Sequence, residues 1–124
     1  MTQKTLLIID DEKDILFMLD KGLTLQGYRV LTANNGADGL KLAQQENPDT
    51  IILDVAMPEM DGPEVALHLR ENIRTRDIPI IFLTALISKE EEEHYRHFVA
   101  NNITLAKPFE ADELAQLIES TILV

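Results

Sequence analysis

Acidic, hydroxyl and ammonium side chains stand at the ends of short apolar runs in this sequence. They are Asp10, Asp11, Asp54, Thr84 and Lys107. Carboxylates can bind a hard cation or act as nucleophiles, and an ammonium with a hydroxyl group can hold the oxygens of a phosphoryl group. These residue types predict metal-assisted phosphoryl chemistry, provided that the fold brings them together.

Short apolar segments alternate with longer segments of helical periodicity, and this order predicts a parallel sheet covered by helices. The predicted strands are Thr5–Ile9, Arg29–Thr32, Thr50–Leu53, Ile80–Leu83 and Thr104–Ala106. The predicted helices are Glu12–Leu25 with Gly27 as its C-terminal cap, Ala37–Gln45, a third that starts at Pro63, Lys89–Ala100 with Ser88 as its N-terminal cap, and Ala111–Leu123. We expect one doubly wound (βα)5 domain of flavodoxin-like class over residues 1–124, with a five-stranded parallel sheet in the order 2-1-3-4-5 and helices on both faces.

In that strand order the first and third strands are neighbours at the topological switch point, where open α/β sheets bind ligands. Asp10, Asp11 and Asp54 would then share one crevice. Two unit charges about 5 Å apart repel by roughly 3 kcal/mol at an effective dielectric near 20. Three carboxylates without nearby His or Cys therefore predict a hard divalent cation, and Mg²⁺ suits the site best.

The composition predicts a cytoplasmic protein with one core. The chain is 45% hydrophobic and contains no Cys, which is typical of a reducing compartment. The apolar run near Met1 is too short for a signal peptide or a membrane span. A formal net charge of -11 repels nucleic acid and anionic lipid, so we expect neither DNA nor a membrane as a direct partner.

The chain resembles the receiver domains of bacterial response regulators over its whole length. The resemblance rests on Asp10-Asp11, on the segment DVAMPEMDG at 54–62, on Thr84-Ala85 and on Lys107-Pro108-Phe109, in the order and spacing of that family. It implies a cis peptide bond between Lys107 and Pro108. It also implies a phosphorylated signalling switch.

The same resemblance implies a role for each site residue. Asp54 would accept the phosphoryl group, and Lys107 and Thr84 would hold its oxygens. The Mg²⁺ ligands would be Asp11, Asp54 and the backbone carbonyl of Ala56, with Asp10 as an indirect, ion-positioning carboxylate. The donor would be the phosphohistidine of a sensor histidine kinase or of a histidine phosphotransfer protein.

The expected output is a change in the face formed by the fourth helix, fifth strand and fifth helix, read by an unidentified downstream protein or effector domain. Receivers usually carry an aromatic residue three positions before the lysine, where this chain has Thr104. The usual coupling of threonine and aromatic residue is therefore absent, and the loop after Thr84 is left to transmit the signal. Receivers that dimerise through the fourth and fifth helices usually carry basic residues on the fifth. Residues 110–124 contain no Lys or Arg, so we expect a monomer.

Three other functions share parts of this pattern. An inactive receiver-like interaction module would keep the fold without the chemistry. A Mg²⁺-dependent phosphohydrolase would need a second Asp two residues after the nucleophile, where Ala56 stands. A nucleotide- or flavin-binding module would need phosphate-binding amides after the first strand, where residues 10–12 are acidic. We expect a switch and not an enzyme. The resemblance implies that Ala56 and Leu86 flank the path of the attacking water, and because neither offers a group to orient that water, we expect slow self-dephosphorylation at most.

Overall fold

The computed structural model describes residues 3–85 and 88–122, in which five strands and five helices alternate. The strands are β1 (Thr5–Ile9), β2 (Arg29–Ala33), β3 (Thr50–Asp54), β4 (Ile80–Thr84) and β5 (Thr104–Ala106). The helices are α1 (Lys13–Leu25), α2 (Gly36–Glu46), α3 (Gly62–Glu71), α4 (Lys89–Ala100) and α5 (Ala111–Ile122). All strands pair in parallel in the order β2-β1-β3-β4-β5, which confirms the predicted flavodoxin-like (βα)5 architecture.

The sheet is buried on both faces because helices cover both sides. Leu7 and Ile9 of β1 pack in the layer that contains α2 and α3, whereas Leu6 and Ile8 pack against α1 and α5. The helices contribute Ala43, Val65 and Leu69 to the first layer and Leu16, Leu19, Leu23, Leu114 and Ile118 to the second. These two apolar layers fix the register of the central strands and so the positions of the residues at their carboxyl ends.

Several strands and helices begin or end one residue away from their predicted bounds. β2, β3 and β4 are each one residue longer and end at Ala33, Asp54 and Thr84. α2 begins one residue earlier because the Asn35 side chain accepts a hydrogen bond from the Asp38 amide and caps the helix there. The predicted end of the last helix at Leu123 lies outside the described residues. No helix in the described ranges is long and apolar enough to cross a bilayer.

The two predicted caps are confirmed. Gly27 has a φ of +99°, a conformation that glycine adopts without strain, and its amide donates to the Thr24 carbonyl at the end of α1. Ser88 accepts a hydrogen bond from the Glu91 amide, and the Glu91 carboxylate accepts one from the Ser88 amide. This capping box sets where α4 begins.

Candidate functional site

The carboxyl ends of β1 and β3 bring three carboxylates together, as the strand order predicts. Carboxylate oxygens of Asp10, Asp11 and Asp54 all lie within 4.8 Å of one another. Asp10 is fully buried, Asp54 is 3% exposed and Asp11 is exposed. Asp54 is the last residue of β3 and pairs with Leu83 of β4, so the sheet itself fixes its position.

Lys107, at the end of β5, faces this negative charge with a side chain that is only 8% exposed. Its Nζ lies 2.9 Å from Oδ2 of Asp10 and 3.5 Å from Oδ1 of Asp54. A third carboxylate, that of Glu12, lies 3.0 Å away. Lys107 therefore lies at the predicted site, whereas its contact with Glu12 is not evident from the sequence.

Thr84 and Ala56 lie at the same edge of the sheet. Thr84 is the last residue of β4, and its carbonyl accepts a hydrogen bond of 2.8 Å from the Lys107 amide. Ala56 is half-buried and stands two residues after Asp54. The Lys107–Pro108 peptide bond is cis, as the resemblance implies. Leu86, which is expected to flank the path of water together with Ala56, lies outside the described residues.

Burial and crowding shift the acid–base properties of the site. Burial, followed by the charge of Asp10, raises the pKa of Asp54 to about 7 in spite of the nearby Lys107. Burial also raises the pKa of Asp10, although Lys107 and the Glu12 amide oppose this effect. Burial lowers the pKa of the Lys107 ammonium, but the contacts with Asp10 and Glu12 and the charge of Asp54 outweigh it and leave that pKa above its usual range.

The donor set fits a hard divalent cation. Oδ1 of Asp10 accepts a hydrogen bond of 2.9 Å from the Glu12 amide. Oδ2 of Asp10 is buried and accepts no hydrogen bond within the described part of the chain, since its 2.9 Å contact with Lys107 is an ion pair without hydrogen-bond geometry. The cluster of Asp10, Asp11 and Asp54 thus carries more negative charge than the single Lys107 ammonium can offset, and this excess suits an ion such as Mg²⁺ with oxygen ligands.

Gly62 packs against the backbone of Asp54, a contact that the spacing of residues in the sequence does not predict. A methyl group on Gly62 would stand 2.5 Å from the Asp54 carbonyl oxygen and 2.9 Å from the Val55 Cα atom. The Gly62 amide also donates to the Val55 carbonyl at 2.8 Å. Glycine is therefore needed here for this close approach, in addition to its place at the start of α3.

Sequence comparison identifies the family to which this fold and site belong. Residues 6–119 match the model of the response regulator receiver domain. The chain belongs to this family and is a receiver domain of two-component signalling. Receiver domains of transcriptional regulators are signalling switches and not classical enzymes.

Individual relatives agree with this assignment. The transcriptional regulatory protein PrrA of Mycobacterium tuberculosis is 34% identical over 122 residues, which are 98% of this chain and 51% of PrrA. The Vibrio cholerae chemotaxis protein CheY4 is 32% identical with a TM-score of 0.82, covering 97% of this chain and 99% of that one. The chain spans between 35% and 51% of the length of the curated relatives it matches.

A third relative was solved with an ion. The receiver domain of sensor histidine kinase PA1611 from Pseudomonas aeruginosa PAO1 has a magnesium ion coordinated in its active site cleft. It is 25% identical to this chain with a TM-score of 0.86, and the match covers 99% of this chain and 100% of that one.

Proposed function

We propose that this receiver domain is a switch operated by phosphorylation of Asp54, with a phosphohistidine of a sensor histidine kinase or histidine phosphotransfer protein as the donor. One observation carries the proposal. Asp54 is 3% exposed and lies in a carboxylate cluster, with the Lys107 ammonium 3.5 Å from its Oδ1 atom. A buried nucleophile between a cation-binding cluster and a fixed ammonium is suited to phosphoryl transfer.

In the proposed reaction an Asp54 carboxylate oxygen forms a bond to phosphorus while the phosphorus–nitrogen bond of the phosphoimidazole breaks. The electron pair stays on the imidazole nitrogen, which takes up a proton. Lys107 and Thr84 hold oxygens of the transferred group at the carboxyl ends of β4 and β5. Bound to Asp11, Asp54 and the Ala56 carbonyl, with Asp10 as an indirect partner, Mg²⁺ would offset the charge of the phosphoryl oxygens.

We assign the output to the face of α4, β5 and α5. α4 contributes no fully buried residue, and Phe98 on it contacts Phe82 of β4 edge to face with ring centroids 4.7 Å apart. A helix without fully buried residues can change position at a low cost in free energy, which favours a shift between two conformations. Thr104 of β5 pairs with Phe82 and offers no aromatic ring of its own, so α4 and the loop before it would carry the signal.

The partners of the switch follow from charge and composition. A formal net charge of -11 opposes contact between these 124 residues and a DNA backbone, so we assign no nucleic-acid contact to them. We assign the receiver a monomeric state, because α5 carries no Lys or Arg to pair with a second copy. A downstream protein or effector domain would read the α4-β5-α5 face.

Incubation with acetyl phosphate and Mg²⁺ tests the proposal. We expect intact-mass spectra to show one added phosphoryl group in the parent. Asp54→Asn should lose it, and chelation of Mg²⁺ should prevent it. Lys107→Ala should accept the group poorly, because it removes the ammonium nearest to the acceptor carboxylate. Asp14→Asn, a change of an exposed carboxylate in the first turn of α1, is the matched control and should behave as the parent.

The alternatives give different results in the same experiment. An unmodified parent would favour the inactive receiver-like module. Continuous turnover of an added phosphomonoester would favour a phosphohydrolase.

A further inference from the structure

Glu12 stands at the N-terminal cap of α1, but its side chain does not cap the helix. The preferred residues at this position are Ser, Thr, Asp and Asn, whose short side chains accept hydrogen bonds from the first turn. Oε1 of Glu12 instead accepts a hydrogen bond of 3.0 Å from Nζ of Lys107, a residue 95 positions away. The side chain therefore serves the phosphorylation site and not its own helix.

Three carboxylates share the Lys107 ammonium, at unequal distances. Nζ is 2.9 Å from Asp10 and 3.0 Å from Glu12, but 3.5 Å from Asp54. The attraction between an ammonium and a carboxylate weakens with distance, so the two nearer carboxylates hold the ammonium more strongly than the third. In the unphosphorylated receiver, Lys107 is thus held closer to its other two partners than to the acceptor.

Glu12 is the partner that can leave. Asp10 is fully buried, and its Oδ1 atom accepts a hydrogen bond from the Glu12 amide. The Asp10 side chain is therefore fixed. The Glu12 side chain is 56% exposed and can exchange its contact with Lys107 for contact with water. A half-exposed ion pair of this kind adds little to stability, which makes it suited to breaking and forming during a signalling cycle.

We propose that Glu12 is a positioning residue that holds the Lys107 ammonium in the unphosphorylated receiver and releases it when a phosphoryl group is present on Asp54. This inference rests on the proposed function, since it requires Lys107 to contact the phosphoryl oxygens. Because the Glu12 contact is lost in the phosphorylated state, it favours the unphosphorylated one. Removal of the contact should therefore strengthen binding of a phosphoryl group or its mimic.

Three variants separate the contact from the charge. Glu12→Gln removes the charge and keeps the length of the side chain. Glu12→Asp keeps the charge but shortens the side chain by one methylene group, which withdraws it from Lys107. Asp14→Asn removes a charge from the same first turn of α1. Asp14 is not among the carboxylates that contact Lys107 in the described ranges, so this variant controls for net charge.

Beryllofluoride, a mimic of the phosphoryl group, is titrated into each variant at saturating Mg²⁺ and followed by calorimetry. We expect both Glu12 variants to bind it about 2- to 5-fold more tightly than the parent, the range that corresponds to the loss of one exposed ion pair. Asp14→Asn should bind it as the parent does. If Glu12→Asp binds like the parent while Glu12→Gln binds more tightly, the effect is one of charge alone and the proposed positioning role is wrong.

A second measurement uses the protein without metal or mimic. The NMR signal of the Lys107 ammonium should be sharp in the parent and Asp14→Asn, because its hydrogens are held by carboxylates, and broadened by exchange with water in both Glu12 variants. An unchanged signal in both Glu12 variants would overturn the inference. Failure of the parent to bind beryllofluoride, with a Lys107 ammonium signal that still differs between the parent and the Glu12 variants, is a separate outcome. That result would contradict the proposed phosphorylation but not the contact between Glu12 and Lys107.

Discussion

The hydroxyl of Tyr95 on α4 donates a hydrogen bond of 2.9 Å to Oδ2 of Asp61, in the loop before α3. The other carboxylate oxygen of Asp61 accepts a hydrogen bond of 3.0 Å from the Glu64 amide and so caps the N-terminus of α3. Burial, followed by the bond to Asp61, raises the pKa of Tyr95 to about 12, so the hydroxyl remains a donor at neutral pH. One carboxylate therefore connects α4 to the segment that leads from Asp54 into α3.

Tyr95→Phe removes this connection with little change in shape. We expect the free energy of unfolding to fall by about 1 kcal/mol, the typical net value of one hydrogen bond. We also expect faster hydrogen exchange at the amides of α4, measured by NMR. Tyr28→Phe is the matched control, because the Tyr28 hydroxyl makes no hydrogen bond within the described residues. Equal exchange of α4 in Tyr95→Phe and the parent would show that this bond does not restrain the helix.

Mg²⁺ should raise the melting temperature of the parent, because a ligand that binds only the folded state stabilises it. The gain is about 1.4 kcal/mol when the ion is at ten times its Kd. Asp11→Asn should abolish the gain and be at least as stable as the parent without metal, because it reduces repulsion in the cluster. Asp14→Asn should keep the gain. Melting curves of the parent that do not move with Mg²⁺ would contradict the proposed metal site.

Stability without metal should depend on the ionisation of Asp54. Its pKa in the folded state is about 7, above the usual value of 3.8, so the folded protein binds more protons than the unfolded chain between those values. The contribution of Asp54 to the free energy of unfolding should therefore be fully present below about pH 4 and be lost as the pH rises through about 7. Chemical denaturation in the presence of a chelator measures this slope. Asp54→Asn should flatten it, and a slope equal to that of the parent would contradict the assignment to Asp54.

Gly62→Ala should disturb the backbone of Asp54, the proposed acceptor. The added methyl group would stand 2.5 Å from the Asp54 carbonyl oxygen, and overpacking of this kind typically costs about 1–3 kcal/mol. Phosphorylation by acetyl phosphate should slow in the same variant. Gly22→Ala is the control, since the nearest atom to its methyl group is 3.8 Å away. We expect that helical substitution to stabilise the protein by about 0.5–1 kcal/mol, so a Gly62→Ala protein as stable as Gly22→Ala would contradict the predicted clash.

The strands were predictable because a buried parallel sheet leaves a strong local pattern. β1 and β5 match their predicted bounds, and β2, β3 and β4 each differ by one residue at the carboxyl end. Placing Asp10, Asp11 and Asp54 together needed only the strand order and the rule that ligands bind beyond the carboxyl ends of the strands. Family resemblance added the roles of these residues, which periodicity alone does not give.

The contacts that were not predicted are single side-chain contacts between distant segments. Glu12 reaches Lys107 across 95 positions, and Tyr95 reaches Asp61 across 34. Neither contact produces a periodic pattern in the sequence, because each depends on how a helix end or a loop packs in the folded protein. The run of three acidic residues at 10–12 is a local hint of the first contact, but by itself such a run predicts only repulsion of phosphate.

Two apolar residues bear on the lifetime of the phosphorylated receiver. The resemblance to receivers implies that the positions two residues beyond Asp54 and Thr84 flank the path of the attacking water, and here they are Ala56 and Leu86. A polar side chain that positions or deprotonates water typically contributes about 10²-fold or more to a rate, and neither residue offers one. Ala56 is half-buried and stands two residues after Asp54.

We therefore expect the phosphate on Asp54 to persist, and an Ala56→Asn, Leu86→Glu double variant to lose it faster. The phosphorylated proteins are freed of donor, kept in Mg²⁺ and followed by the release of inorganic phosphate. Each single variant is measured beside the double variant, so that the effect of Ala56 is known separately. Decay of the parent at the rate of the double variant would mean that other groups control hydrolysis. If the parent loses phosphate slowly and the double variant loses it fast, the receiver is suited to slow processes or depends on a separate phosphatase for its dephosphorylation.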